Sequence, residues 1–165
     1  MDFRKMRRSR QELPAAQTEK ILRDGSTGVL SVLGENGCPY ALPLNYVYLD
    51  GKIYFHCART GHKLDAIRQC EKVSFCVVER DRVIPRAFAT DYRSAILFGR
   101  ARLVPDEEAG LKREALEALN RKYAPDYYEE GREEIRKDWD NVQIVEIRID
   151  HMTGKEALKA VREME

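Results

Sequence analysis

The sequence predicts a mainly β protein, a six-stranded antiparallel barrel, closed or nearly closed, with peripheral helices. Three observations predict it. Strand-sized apolar runs recur at residues 27–33, 40–49, 52–57, 72–79, 93–104 and 142–149. The turn-forming pairs Asn36-Gly37 and Asp50-Gly51 join the first three as hairpins, because Asn and Gly tolerate the positive φ of tight turns. The longest helical periodicity falls outside these runs, within residues 105–138. At 165 residues, folding would reduce the exposed surface from about 27,700 Å² to about 8,400 Å², hiding roughly 70 % of it. A single domain of residues 1–165 can therefore build its core without disulfide or metal staples.

In chain order, residues 1–12 form a basic arm, and Pro14 to Arg23 reads as a short helix closed by Asp24-Gly25. Thr27 to Leu33 and Tyr40 to Leu49 are the first two strands, the second expected to bend at Pro43. Lys52 to Cys57 is the third strand, and a helix over Gly61 to Gln69 follows it directly. Lys72 to Glu79 and Arg93 to Val104 come next; in the latter Leu97, Gly99, Ala101 and Leu103 alternate with Phe98, Arg100 and Arg102. The helical insertion 105–138 holds a helix over Asp106 to Lys122, acidic at its start and basic at its end as the helix dipole favours. A polar surface helix over Tyr127 to Lys137 completes it. In the last strand, Val142 to Ile149, Val145, Ile147 and Ile149 face one way. Trp139, the only tryptophan, is expected to pack.

Charge excludes several classes of function. The 29 Lys and Arg against 28 Asp and Glu leave a net +1, so no bulk charge calls for nucleic acid or an anionic membrane. The arm holds Arg4, Lys5, Arg7, Arg8 and Arg10 against Asp2, and reads as a solvated terminus, a partner contact or a phosphate contact. No apolar run approaches membrane length, and no apolar stretch follows Arg10 as a secretory signal requires. Cys38, Cys57, Cys70 and Cys76 show no metal-ligand spacing and read as buried free thiols of a reducing cytoplasm, with no metal.

The segment Tyr54-Phe-His-Cys-Ala-Arg-Thr-Gly-His-Lys63 is the candidate site. A strand runs through a tight loop into a helix, with Thr60 as the expected N-cap and Gly61 allowing close backbone approach. Free amides of a first helical turn, added to the positive dipole end, attract an anion. His62 and Lys63 supply two further tips, and Arg59 a third. His56 either faces the core with a backbone partner or lines a pocket.

These residues, together with Phe3-Arg-Lys-Met-Arg-Arg8, Thr27 to Leu33, Gly37-Cys-Pro-Tyr-Ala-Leu-Pro-Leu-Asn-Tyr46, Val73 to Val77, Phe98-Gly99 with Val104, and His151-Met-Thr-Gly-Lys155, carry a resemblance. Over about residues 3 to 156 the chain resembles the 5-nitroimidazole-resistance branch of the pyridoxamine-phosphate-oxidase-like, FMN-binding split barrels. The resemblance implies a homodimer holding two FMN molecules at the subunit interface. It places the FMN phosphate on His62 and Lys63, the isoalloxazine ring against Pro43, Leu44 and Asn45, and the strand leading to the phosphate loop at His56 and Cys57. Tyr92 and Ser94 match the second-subunit side of the cofactor.

The activity implied is reduction of a small nitro compound, such as a 5-nitroimidazole, to an amine in two-electron steps. His62, or in its place His56, is the proton donor an imidazole can supply. His62 fits the phosphate clamp better, which leaves His56 as the catalytic candidate. The C-terminal end, Ala160-Val-Arg-Glu-Met-Glu165, lacks the Arg-Leu and Pro pattern of true pyridoxamine-phosphate oxidases, so oxidation of a vitamin B6 phosphate is not expected. Two alternatives stand: a non-catalytic flavin-binding or redox-sensing module, and a haem-binding split barrel using one histidine as axial ligand. A single-strand nucleic-acid reading through Tyr46, Tyr48 and Tyr54 ranks below both.

Overall fold

The computed structural model describes residues 3–158 and 161, and among them are eight strands and four α-helices. In chain order they are β1 (Glu12–Leu13), α1 (Ala15–Asp24), β2 (Gly28–Leu33), β3 (Pro39–Leu44), β4 (Val47–Leu49), β5 (Lys52–Ala58), α2 (His62–Gln69), β6 (Lys72–Ile84), β7 (Ala89–Leu103), α3 (Ala109–Tyr123), α4 (Tyr128–Lys137) and β8 (Val142–Glu156). The strands join antiparallel in the order β3-β2-β6-β7-β8-β5-β4, with β1 attached to β8. Strands β3 and β4 end the sheet on opposite sides, yet only Asn45 and Tyr46 separate them in sequence. Such a link spans at most about 10 Å, so the sheet must curl until its two edges approach. The result is a mainly β split barrel, open between β3 and β4.

The barrel interior follows from the alternation. Leu30 and Val32 of β2, Phe75 and Val77 of β6, Leu97 of β7, Phe55 of β5 and Ile147 of β8 point inward and are buried. Ile21 and Leu22 of α1, and Leu64 and Ile67 of α2, join the same core.

The count of eight strands corrects the expected six. The run 40–49 is two strands, broken at Asn45–Tyr46 and not bent at Pro43. Proline is tolerated without a bend on an edge strand, where a missing N–H leaves no ladder bond unmade. The added β1 is two residues long and carries no periodic signal. Strands β6 and β7 also run past their expected ends into a two-stranded ribbon capped by Pro85–Ala87, through the charged stretch Glu79 to Arg93. Asp91, 3 % exposed, pairs there with Arg80 at 2.9 Å, so cross-strand ion pairs replace apolar alternation. The turns at Asn36-Gly37 and Asp50-Gly51 have the expected positive φ.

The outer surface of the sheet divides in two. Over β5 and the first half of β8, helices α3 and α4 bury Tyr54, Ile144, Ala115, Leu116 and Leu119 in a second core, and Trp139 packs beside it. Over β2, β6 and β7, no described helix covers the outward side chains Val29, Ser31, Leu33, Ser74, Cys76, Val78, Ser94, Ile96 and Phe98. These nine carry no charge, in a chain that is 35 % charged, and Lys72 and Arg100 lie next along the same outward rows of β6 and β7. The cysteines are unpaired, but Cys38 is exposed and the other three are half-buried, which corrects the expectation of buried thiols. Among the described residues no helix is long and apolar enough to cross a membrane. Met1, Asp2 and the C-terminal residues weighed above, apart from Val161, lie outside the described residues.

Candidate functional site

Strand β5 is buried on both faces over Ile53 to Phe55, whereas His56 and Ala58 near its end are exposed. Ile53, Phe55 and Cys57 point into the barrel; Tyr54 and His56 point toward α3 and α4. The strand ends at Ala58, and the chain turns at Gly61, whose φ of +136° belongs to glycine. Gly61 itself caps α2, without a side-chain cap from Thr60, because that backbone turn already sets the entry angle. The amides of Leu64 and Asp65 donate to the Gly61 carbonyl at 2.9 and 3.2 Å. Those of His62 and Lys63, the first two of the helix, have no acceptor among the described residues. A Cβ on Gly61 would meet no atom within 4 Å, so the space before these amides is open.

Lys63 is half-buried, and its ammonium has no ion-pair partner among the described residues. Its charge reaches both side chains at the end of β5. Burial, and then Lys63, push His56 below its ordinary pKa. Burial pushes the Cys57 thiol up, partly opposed by Lys63. His62 is exposed and stacks on Tyr40 of β3, ring centroids 4.5 Å apart and planes 10° from parallel. Arg59 is not the expected third cation. Its guanidinium grips Asp106 through two hydrogen bonds of 3.0 and 2.8 Å and also donates to the Asp140 carbonyl, which fastens the loop to the helical insertion.

His56 does not face the core. It opens onto a cavity of about 330 Å³ between β5 and the helices α3 and α4, walled by Leu116, Leu119, Ile135 and Val142. Tyr123, Asn120, Glu134 and Asp138 add polar groups to the wall, and Asn45 enters from the link between β3 and β4. Asn45 is held by donation to the Ser26 carbonyl at 2.9 Å. The link itself is clamped by α3: the Tyr123 hydroxyl accepts the Tyr46 amide at 3.0 Å and donates to the Ser26 carbonyl at 2.7 Å. Lys122 donates to the carbonyls of Gly25 at 2.6 Å and Tyr46 at 3.1 Å, and burial brings its pKa down to about 8.

Of the residues singled out in the sequence, Asn45 and His56 share this cavity, and Lys63 lies within electrostatic reach of His56 and Cys57. Leu44 packs inward and Pro43 outward at the end of β3. That strand pairs only with β2, so backbone groups along its free edge are available at alternate positions. The cause is its edge position, not a bend. Tyr92 and Ser94 lie elsewhere, where β7 meets the end of β8, with Lys155 over the Tyr92 ring at 5.1 Å.

Beneath the cavity sits an ionic cluster that the strand pattern conceals. Glu146, 5 % exposed, accepts from Lys52 and Tyr54 at 2.9 Å each and from Arg102 at 2.7 Å. Burial alone would raise its pKa; the three donors outweigh that and hold it at about 2. Sequence reasoning missed Tyr40, the cavity wall and this cluster. A signal existed for the last: Tyr54 and Glu146 face outward on neighbouring strands.

Residues 14–156 match the family model described as pyridoxamine 5'-phosphate oxidase. No curated protein matches the chain. Among solved structures, a candidate 5-nitroimidazole antibiotic resistance protein from Bacteroides thetaiotaomicron is 22 % identical, with a TM-score of 0.69 over 87 % of this chain and 85 % of that one. The flavocytochrome Anf3 from Azotobacter vinelandii is 20 % identical, with a TM-score of 0.79 over 93 % and 72 %. A FAD and haem binding protein from Mycobacterium smegmatis is 21 % identical, with a TM-score of 0.74 over 89 % and 73 %. At these identities the likeness to solved structures is one of fold.

Proposed function

The chain belongs to the pyridoxamine 5'-phosphate oxidase family, and we propose that it is an FMN-dependent oxidoreductase acting on a small nitro compound such as a 5-nitroimidazole. It would work as a homodimer with the flavin between subunits. The observation that carries the reading is the clasp at the start of α2: an open space before Gly61, two unbonded amides and one unpaired, half-buried ammonium. Each favours a phosphate, and together they fit the phosphate end of FMN.

Lys63 and the amides of His62 and Lys63 hold that phosphate. His62, stacked on Tyr40, flanks it. The free edge of β3 at Pro43, Leu44 and Asn45 offers backbone groups to the ring edge, whose buried heteroatoms need partners. Tyr92 and Ser94, remote from the clasp in one chain, belong to the side a second copy would supply. The largely uncharged face of β2, β6 and β7 is the surface two copies would share. Bound FMN supplies the electrons.

His56, on the apolar cavity, is the proton-handling group. With its pKa held down, it is neutral near pH 7 and becomes an acid only as the pH falls. The apolar walls exclude water from a substrate lodged there.

Purified protein tests the reading directly. A flavin absorbance spectrum that survives desalting, with turnover of a nitroimidazole by reduced protein, is the expected result. Flavin without turnover would leave the non-catalytic module; a Soret band in place of the flavin bands would make it a haem protein instead.

A further inference from the structure

The ribbon Glu79 to Arg93 is stiffened by ion pairs. Asp91 holds Arg80 at 2.9 Å and Arg82 at 3.4 Å, and Glu79 holds Arg93 at 3.1 Å. Its tip ends on Phe88, a phenyl ring that is 98 % exposed. Phe88 also has a φ of 48°, unfavourable for a bulky side chain, with its amide donating to the Pro85 carbonyl at 3.1 Å. Val83, also on the ribbon, is exposed as well. A braced arm that carries apolar side chains into water gains nothing from them within its own chain.

Ribbon and clasp stand at opposite ends of one face. Strand β6 runs from Lys72, beside the end of β2 and the start of β3, to Ile84 in the ribbon. Gly34, just after β2, lies against the clasp: an added Cβ would sit 3.1 Å from the His62 Nε2. At that end the face is hollowed by a cavity of about 280 Å³, lined by Ser31, Leu33, Pro39, Lys72, Ser74 and Phe98. The two ends also carry opposite charge. The bulge after Val78 shifts the register by one, so Asp81, opposite Tyr92, falls in the outward row that begins at Lys72. Neither Lys72 nor Asp81 has a side-chain partner among the described residues. Arg100, beside Lys72, is engaged by Glu71 and Asp150, and Lys155 lies over the Tyr92 ring.

We infer that two copies pack on this face with their strands running in opposite directions, so that each ribbon closes the clasp end of its partner and Phe88 enters the hollow there. The inference rests on the homodimer reading above and gives it a geometry. In a two-fold dimer the same face meets itself, and the direction of the axis decides which ends meet. An axis along the strands would set ribbon on ribbon, with Lys72 facing Lys72 and Asp81 facing Asp81. An axis across the strands sets each Lys72 against the partner's Asp81, twice by symmetry. Like charges facing across an interface are strongly unfavourable, so the second arrangement wins. It also carries the start of β7 to the partner's clasp, in agreement with the place given to Tyr92 and Ser94 on the second-subunit side of the flavin. Arg86, on the same tip, has no side-chain partner among the described residues, and a phosphate in the partner's clasp would give it one.

Charge swaps read the arrangement directly, through the dimer dissociation constant of the full chain with its flavin in sedimentation equilibrium. Lys72→Asp and Asp81→Lys should each weaken the dimer about tenfold or more, because each sets like charges at both contacts. Mixing the two variants should restore the dimer, since unlike charges then face across both contacts. Phe88→Ser should weaken it about tenfold with the circular dichroism unchanged, because the ring touches so little of its own chain. Single variants as tightly dimeric as wild type, variants that stay apart when mixed, or a dimer indifferent to Phe88→Ser would each overturn the inference. A wild-type chain that is monomeric at micromolar concentration would remove the homodimer reading and this geometry together. A colourless dimer that passes the mixing test would support the geometry and count against the flavin alone.

Discussion

The two outer faces of the one sheet present opposite chemistry. Over β5 and the start of β8 the chain covers its own surface with α3 and α4, and there it tolerates a buried carboxylate, because three donors converge on Glu146. Over β2, β6 and β7 no described helix covers the surface, and there charge is sparse, with Lys72 and Arg100 beyond a patch where Ile96 and Phe98 are each 42 % exposed beside Ser74, Cys76 and Ser94. Charge is abundant where its partners are local and sparse where no helix of the chain covers the sheet. On the reading proposed above, that difference suits the uncovered face to contact with a second copy of the chain.

Five experiments would break or sharpen the contrast. The largest effect belongs to the covered face. Glu146→Ala strands the Tyr54 hydroxyl in the second core and leaves Lys52 without its carboxylate, while Arg102 keeps Glu108; the expected loss is about 3 kcal/mol by denaturant unfolding. Protonating Glu146 does the same reversibly. Its folded pKa of about 2 lies below the ordinary 4.5, so its contribution is complete above that ordinary value and drains away as pH falls from 4.5 through about 2. Acid unfolding of the wild type should therefore be steeper in that window than that of Glu146→Gln.

Next comes Ile96→Arg on the bare face. It should leave chain stability within about 0.5 kcal/mol, since the side chain is already partly in solvent, yet weaken self-association by about 2 kcal/mol or more. Light scattering should report 19.1 kDa in place of twice that mass, with flavin lost together with the dimer. A wild-type protein that is itself monomeric at micromolar concentration would remove the second copy from the account.

Lys63→Ala should reduce flavin affinity by about 2 kcal/mol, the worth of a charge-assisted hydrogen bond, with the fold intact. Retention of FMN on a desalting column equal to wild type would dismiss the clasp. The smallest effect is a shift in titration. Lys63→Gln removes a repelling charge, so the His56 pKa should rise toward the ordinary imidazole value in an NMR titration. Any activity that needs protonated His56 should then extend to higher pH in the variant.

The legibility of this molecule varied with the physics of each part. Strands with one apolar and one polar face, such as 142–149, and hairpins turned by Asn-Gly or Asp-Gly were readable, because alternation and positive φ are local properties. The ribbon beyond Val78 was not: its pairing rests on ion pairs such as Arg80 with Asp91, and those residues look like a solvated loop. At the site, Gly61, His62 and Lys63 were legible as a helix start. The capture of Arg59 by Asp106, 47 positions away, was not, and neither was the apolar cavity that receives His56.

By itself the sequence determined the mainly β class, the four helices, the turn positions and the helix start at Gly61, all of which depend on neighbours within a few residues. The tertiary structure alone decided that β3 and β4 part to opposite edges, that His56 meets Asn45 across a cavity, and that one outer face goes uncovered. The reason is that these outcomes depend on which distant segments pack together, and distant packing leaves no period in the chain.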